Sequence, residues 1–186
     1  GYPVRRGGAS TTTAGNAFSC SGAVTIAGGG ALNLAGSVNW PGALTAAANS
    51  TVSYRSTTQA QSVKGGAGVS YCHMEFANTG QNATLAAAAT VTGTLVVQSG
   101  GKITLAPGAS LTCDQTAPDN ISLSGTMTMN GSSFLYMKTG LAVNAGGAFE
   151  SFESGGNKPT VEWHSSTRYS FEVNANGRIH VGALTF

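Results

Sequence analysis

The sequence predicts an all-β fold, a single-domain right-handed parallel β-solenoid (β-helix), and three observations support this prediction. Apolar and polar residues alternate over short runs such as 23–26 and 102–105, the pattern of a half-buried strand. Inward residues recur eight apart, as from Leu95 to Ile103 to Leu111, with Gly and small polar residues between them. No window shows a convincing helical period. A short repeat of strand and corner is typical of a coiled solenoid.

The predicted strands follow from this alternation, because successive side chains of a strand point to opposite faces. Each strand ends where Gly, Pro, Asn or Ser residues indicate a turn. The Ala-rich run 86–89 is short and is predicted to be a tight corner. The predicted strands are 23–26, 31–34, 51–54, 69–76, 83–85, 93–97, 102–105, 110–113, 120–123, 126–129, 134–137, 141–143 and 148–152.

The inward side chains of these strands are predicted to stack coil upon coil into one interior column. Burying each of them contributes on the order of 1.5–3 kcal/mol. The expected core comprises Val24, Ile26, Leu32, Leu34, Leu95, Val97, Ile103, Leu105, Leu111, Met127, Met129, Leu135, Met137 and Val143.

Composition divides the chain into three stretches. Residues 1–20 are polar and rich in Gly, Ser and Thr, which predicts an extended N-terminal arm or an irregular first coil. Residues 21–156 carry the repeats. Residues 157–186 are richer in charge and in aromatic side chains, and they indicate C-terminal strands that cap the solenoid or serve its assembly.

The charge of the chain limits its partners. Only 9% of residues are charged, against roughly 25% in ordinary soluble domains, and the formal net charge is +2. Nucleic-acid binding needs clustered Lys and Arg, so no nucleic-acid partner is expected. No run approaches the roughly 20 apolar residues of a membrane span. The uncharged Ser, Thr, Asn and Gly surface favours an extracellular or cell-surface location.

The three cysteines are Cys20, Cys72 and Cys113, an odd number that cannot pair fully within one chain. Strand alternation points all three inward, which favours buried thiols that pack as small hydrophobic groups. One disulfide with one free thiol is the alternative. The spacing lacks the CxxC or CxxH pattern of zinc sites.

Candidate catalytic or metal-binding groups are sparse. His73 and Glu75 are expected to face outward on one strand, as are Glu162 and His164, and we interpret both pairs as polar residues on a solvent-facing side. Asp114 and Asp119 lie in a predicted loop without the dense acidic pattern of calcium sites. We therefore predict no catalytic residues, no metal, no cofactor and no enzymatic activity.

Two features suggest surface binding instead. Thr92 with Thr94, and Thr126 with Thr128, form T-x-T pairs that could contribute to a flat array able to bind ice or crystalline polysaccharide, although β-branched residues favour strands in any case. Aromatic side chains expected to be exposed could stack on sugars, and these candidates are Trp40, Tyr54, Tyr71 and Tyr136.

A family resemblance rests on the segments 49–63 and 69–76, followed by the G-T-L-V-V run 93–97 and the G-A-S-L run 108–111. This pattern of strand and corner residues resembles the repeats of large secreted bacterial surface proteins, which are adhesin-like or filament-forming β-solenoids. The likeness spans roughly residues 23–152. It implies an extracellular structural or adhesive role and names no ligand.

The expected function is that of an extracellular structural protein, a subunit or segment of a bacterial surface filament, sheath or adhesin stalk. Self-assembly would proceed through paired strands or solenoid ends. The expected partner is another copy or a longer parent chain, and cell-surface glycans are a further candidate. The alternatives are a carbohydrate- or surface-binding adhesin module and a polysaccharide-degrading β-helix enzyme.

Overall fold

The computed structural model describes residues 4–6, 11–15, 17–115, 121–163 and 170–182 of the 186-residue chain. These ranges consist of strands, turns and irregular corners. The predicted all-β parallel solenoid is confirmed. In the same ranges, no helical segment has the length and apolar character that a bilayer crossing requires.

The strands are short, from two to five residues each. In chain order they are β1 (Val4–Arg6), β2 (Thr11–Ala14), β3 (Ala17–Ser19), β4 (Val24–Ile26), β5 (Ala31–Leu34), β6 (Ser37–Asn39), β7 (Leu44–Ala46), β8 (Thr51–Tyr54), β9 (Gln61–Val63), β10 (Ser70–Tyr71), β11 (His73–Phe76), β12 (Ala83–Leu85), β13 (Ala89–Val91), β14 (Leu95–Val97), β15 (Lys102–Leu105), β16 (Ser110–Cys113), β17 (Ile121–Leu123), β18 (Thr126–Asn130), β19 (Phe134–Met137), β20 (Leu141–Val143), β21 (Ala148–Phe152), β22 (Thr160–Trp163), β23 (Phe171–Val173) and β24 (Arg178–Val181).

From β1 to β21, every strand except β6 pairs in parallel with the strand three places further along the chain, so each turn of the chain adds one strand to each side of the solenoid. Sheet I runs β1-β4-β7-β10-β13-β16-β19-β22, and sheet II runs β2-β5-β8-β11-β14-β17-β20-β23. Sheet III runs β9-β12-β15-β18-β21-β24, and β3 pairs with β6 in a separate two-stranded sheet.

The eight-residue spacing of inward residues corresponds to the step along the chain from one side of a coil to the next side. Leu95 lies in sheet II, Ile103 in sheet III and Leu111 in sheet I. Residues that stack directly on one another are much further apart in sequence. Val24 pairs with Leu44, and the interval along the chain is longer still where Leu141 pairs with Phe171. Corners of different length therefore separate strands that keep a constant register.

The interior column exists as predicted, and all the predicted core residues are buried. Ile103, Met127 and Phe149 stack in successive coils of sheet III. In sheet II, the column Phe76, Val97, Leu123 and Val143 repeats this arrangement. The interior also holds large aromatic side chains outside the predicted set, among them Tyr54, Tyr71 and Phe149.

The predicted strand 69–76 is wrong in one respect, because a bend at Cys72 divides it into β10 and β11. The bend resets the alternation, so that Val69 and Tyr71 face inward before it and Met74 and Phe76 face inward after it. Several strands were not predicted at all, including β6, β7, β9 and β13, since they are short and poor in large apolar side chains. Asn120, the predicted start of another strand, lies outside the described residues.

Corners between strands use turns that require a left-handed residue. At 106–109, Pro107 precedes Gly108, whose φ is 80°, and the Ala109 N–H donates to the Ala106 carbonyl at 3.0 Å. Pro followed by a left-handed Gly is the signature of a type II turn. Asn49, with a φ of 60°, occupies the equivalent place in the turn that joins β7 to β8.

Gly101 meets a different requirement, the close approach of neighbouring coils. A Cβ at this position would lie 2.3 Å from the Phe76 carbonyl oxygen of the adjacent coil. A Cβ at Gly147 would likewise lie 2.0 Å from the Leu123 carbonyl oxygen. Backbone atoms that belong to the parallel ladders cannot move away without breaking hydrogen bonds, so only glycine fits.

Two alanine substitutions separate these requirements. Gly108→Ala meets no atom within 4 Å, so it should cost only the left-handed backbone penalty, about 1–2 kcal/mol. Gly101→Ala must displace a neighbouring coil and should cost more, about 3 kcal/mol. Urea unfolding followed by circular dichroism measures both, and equal losses would contradict the close-approach explanation.

Candidate functional site

A row of hydroxyl side chains follows the outer face of sheet I across five consecutive strands. Each of its members is the register partner of the next, and each is exposed or half-buried. Parallel strands lie about 4.7–4.9 Å apart, so one hydroxyl group recurs at that interval along the solenoid axis. The members of this hydroxyl row are Thr25, Thr45, Ser70, Thr90 and Thr112.

The hydroxyl row leads into an aromatic and charged groove. Tyr136 is the register partner of Thr112, and Glu162 is the register partner of Tyr136. Phe134 and Tyr136 both face outward from β19, with ring centroids 5.9 Å apart and ring planes within 3° of parallel. A groove of about 420 Å³ lies beside Tyr136, and we call it the sheet I groove.

Opposite charges line the sheet I groove. Asp114 follows β16 directly, and its carboxylate forms an ion pair with the Lys138 ammonium from the next coil. Both side chains are more than 40% exposed, so the pair is weakly stabilising. Glu162 is also part of the lining. The groove therefore offers an aromatic ring, a hydroxyl group and carboxylates, groups that can contact a sugar.

The structure places only one of the four predicted surface aromatic side chains on the surface. Tyr136 is half-buried and lines the sheet I groove. The prediction of exposure is wrong for Trp40, Tyr54 and Tyr71, which are all buried. Tyr71 faces inward because the bend at Cys72 changes its side, and Tyr54 follows the same alternation as buried Val52.

Tyr54 and Tyr71 form a polar network inside the solenoid. Their hydroxyl oxygens lie 3.0 Å apart. The Tyr71 hydroxyl donates to the Lys64 carbonyl at 2.7 Å, and the Lys64 N–H donates to the Tyr54 hydroxyl at 3.1 Å. Burial raises the pKa of Tyr54 to about 12, although its hydrogen bonds to Tyr71 and Lys64 oppose that rise. Burial is also the main cause that raises the pKa of Tyr71 well above its ordinary value, with the neighbouring Tyr54 adding to it.

His73 and Glu75 lie on the outer face of sheet II, as their alternation predicts, and each bonds to the neighbouring coils. His73 Nδ1 accepts the Thr94 backbone N–H at 2.9 Å. The Glu75 carboxylate accepts from Ser53 Oγ at 2.7 Å and from Gln98 Nε2 at 2.9 Å. Both side chains thus link one coil to the next.

The other predicted chemical groups fall in different places. Asp114 and Glu162 meet at the sheet I groove, whereas His164 and Asp119 lie outside the described residues. Among the described residues, no three His, Cys, Asp or Glu side chains are grouped closely enough to hold a metal ion.

The threonine pattern differs from the predicted one. Thr92 and Thr94 lie in a corner between β13 and β14 and not on a strand, whereas Thr126 and Thr128 both face outward from β18. The hydroxyl row was missed because its members are separated in sequence by whole coils of unequal length, and its Ser70 interrupts the run of threonines. Alignment of successive coils by their inward residues would have revealed it.

All three cysteines are free thiols. Cys113 is buried as predicted, and burial raises the pKa of its thiol well above the ordinary value. Cys20 and Cys72 are only half-buried. Cys72 departs from the predicted inward direction because it forms the bend, where its Sγ accepts the Asn49 N–H at 3.1 Å.

Comparisons with known proteins do not add to this geometry. The chain matches no protein-family model, and neither a curated protein nor a solved structure matches it. The β-solenoid architecture is therefore established by the structure alone.

The buried tyrosine pair predicts an alkaline limit to stability. Both pKa values are higher in the folded state than the ordinary value of 10, so above pH 10 the unfolded chain releases protons that the folded chain retains. Stability is then present below pH 10 and falls as the pH rises through 12. Tyrosinate absorbance should show Tyr54 and Tyr71 ionising only as circular dichroism reports unfolding. Ionisation of all five tyrosines while the fold is intact would contradict this prediction.

Proposed function

We propose that this chain is an extracellular structural module without catalytic activity, a segment or subunit of a surface filament, sheath or stalk. In this proposal its solenoid continues from one copy to the next by end-to-end stacking of coils. The observation that supports it is the uncovered interior at the last described coil. Val173 and Ile179 are 46% and 43% exposed, although their register partners in the preceding coil, Val143 and Phe149, are completely buried.

The open strand edges at this end of the solenoid support the same proposal. Among the described residues, β22, β23 and β24 are the terminal strands of sheets I, II and III. The outer edge of a terminal parallel strand carries backbone groups that can pair with a further strand. A coil of a second copy would extend all three ladders at once and would cover Val173 and Ile179. Each buried valine or isoleucine contributes on the order of 1.5–3 kcal/mol.

The low charge of the chain favours such stacking. With 9% charged residues and a net charge of +2, copies placed end to end repel one another weakly. The exposed apolar residues and the open strand edges lie together on the last described coil, so a single contact satisfies both.

A pair of charged substitutions tests the assembly. Val173→Lys combined with Ile179→Lys places ammonium groups on the uncovered interior and should abolish end-to-end stacking. Val96→Lys introduces the same side chain on the outer face of sheet II, in the middle of the solenoid, and should leave it intact. Sedimentation velocity and electron microscopy at increasing concentration measure the outcome, with circular dichroism as the check on folding.

The expected result is filaments or rods from the unsubstituted chain and from the Val96→Lys variant, with single particles from the double variant. Single particles from the unsubstituted chain at every concentration would overturn the proposal. Filaments of unchanged length from the folded double variant would also overturn it.

Carbohydrate binding is a second candidate function, and the sheet I groove favours it. The parallel rings of Phe134 and Tyr136 lie at the end of the hydroxyl row, and aromatic faces with nearby hydroxyl groups and carboxylates suit sugar rings. This function needs no assembly and is compatible with it.

Affinity electrophoresis through gels that contain soluble polysaccharides tests this second function. Retardation of the unsubstituted chain should be lost in Tyr136→Ala and kept in Thr126→Ala, which removes an outward side chain from sheet III. Equal migration of the unsubstituted chain and the Tyr136→Ala variant in every gel would exclude the groove as a sugar site.

A further inference from the structure

The first described coil of the solenoid leaves part of its interior uncovered, as the last one does. Thr12 and Ala14 point inward from β2 and are half-buried, whereas their register partners Leu32 and Leu34 are buried. In the part of the chain that the structure describes, β2 is the strand at this end of sheet II. Phe18 in β3 is also half-buried and packs against the core. Both ends of the solenoid therefore carry interior side chains that a further coil could cover.

The register of sheet II relates β2 to the opposite end of the solenoid. Thr12 begins the inward column that ends at Phe171, and Ala14 begins the inward column that ends at Val173. Thr13 lies between them and begins an outward column. A parallel ladder continued from β23 into β2 of a second copy would bring Thr13 opposite the last member of that column, Glu172. The full outward column is Thr13, Asn33, Ser53, Glu75, Val96, Ser122, Ala142 and Glu172.

The inward side chains at the two ends of sheet II are complementary in size. Phe171 and Val173 are the larger pair on the last coil, and Thr12 and Ala14 are the smaller pair on the first coil. Large side chains that face small ones allow neighbouring layers to interlock without overcrowding. The continued register would place each large side chain against a small one.

Outward carboxylates in this solenoid accept hydrogen bonds from adjacent coils. Glu75 accepts from its register partner Ser53 at 2.7 Å and from Gln98 in the following coil at 2.9 Å. Glu150 accepts from its register partner Thr128 at 3.2 Å. A hydroxyl group one coil away is therefore a partner that outward carboxylates already use in sheets II and III.

Glu172 on β23 differs from these two carboxylates. Its register partner in the preceding coil is Ala142, whose side chain has no donor. The Glu172 side chain is exposed, and no described residue forms a hydrogen bond or an ion pair with it. A donor could reach it from the other side, in a coil added after β23.

We propose that copies of this chain stack head to tail in unbroken register, with β2 of one copy extending sheet II beyond β23 of the copy before it. The head is the surface of Thr12, Thr13 and Ala14, and the tail is the surface of Phe171, Glu172 and Val173. In this arrangement the Thr13 hydroxyl donates to the Glu172 carboxylate, a charge-assisted hydrogen bond. The proposal rests on end-to-end stacking and names the surface that covers the exposed end.

The polarity of the contact decides whether assembly can continue. Head-to-tail contacts join different surfaces and therefore leave a free head and a free tail, which allows rods to grow. Two tails placed against each other would pair β23 with a second β23 and would stop at two copies.

Two variants, each blocked at one end, test the polarity. Ala14→Lys places an ammonium group on the head, and the double variant Val173→Lys, Ile179→Lys does so at the tail. Each should remain single when alone. An equimolar mixture should form pairs that contain one copy of each, because the mixture supplies one intact head and one intact tail. Sedimentation velocity measures the species, and the pairs also show that both variants are folded.

A charge exchange tests the register. Thr13→Glu sets a carboxylate opposite Glu172 and should raise the concentration at which rods appear at least about tenfold, because like charges face each other across the contact. Adding Glu172→Lys to the same chain should restore rods. Thr11→Glu places the same carboxylate on the same outward face, two residues from the register partner of Glu172, and should have a much smaller effect.

The outcomes separate this proposal from the proposed function. Single particles from the unsubstituted chain at every concentration would overturn both. Rods from the unsubstituted chain, together with pairs from Ala14→Lys alone, would contradict the head-to-tail polarity and leave end-to-end contact in place. Rods that form at an unchanged concentration in Thr13→Glu, or the absence of rescue by Glu172→Lys in a chain folded by circular dichroism, would contradict the register.

Discussion

Constant register between neighbouring coils is the constraint on which the rest of the structure depends. In a parallel ladder, a slip of one residue would turn every inward side chain of a strand toward solvent. The stacked column Ile103, Met127 and Phe149 shows the result of avoiding that slip. Outward residues inherit the same order, so the hydroxyl row and the sheet I groove exist only because the interior is aligned.

The corners between strands accommodate differences in coil length, whereas the paired strands do not. The interval along the chain between stacked residues varies from coil to coil, yet the paired strands stay in line. The turns therefore differ in length and chemistry, and a few positions carry strict demands. Gly101 is needed where the backbones of two neighbouring coils approach closely, and Gly108 is needed where the backbone adopts a left-handed conformation.

Local alternation made most of the fold predictable from the sequence. The buried set from Val24 to Val143 follows from the period of alternating side chains in a strand, which needs no knowledge of distant residues. The length of a complete coil could not be predicted from the sequence, because corners of unequal length conceal any period longer than one strand and its turn. Tyr71 was assigned to the wrong side for a local reason, since nothing in the run 69–76 marks Cys72 as a bend.

The candidate sites were less predictable, because they depend on which coils lie side by side. Asp114, Tyr136 and Glu162 could each be singled out from the sequence, but their meeting at one groove rests on the register between strands of successive coils. Trp40 could be noticed as an aromatic residue. Its burial becomes visible only in the fold, as does the break between β6 and β9, which pack next to each other without a shared backbone ladder.

The break between β6 and β9 also affects how the solenoid would respond to tension. In the rest of the described chain three backbone ladders tie each coil to the next, whereas at β6 and β9 one side lacks a ladder and relies on the side-chain amide of Gln61, which donates to the Leu34 and Gly36 carbonyls. A rod under tension yields where it has the fewest parallel connections. Pulled along its axis, this solenoid would first open at the coil that holds Gln61, and the residues before it would separate as a unit while the longer remainder stays wound.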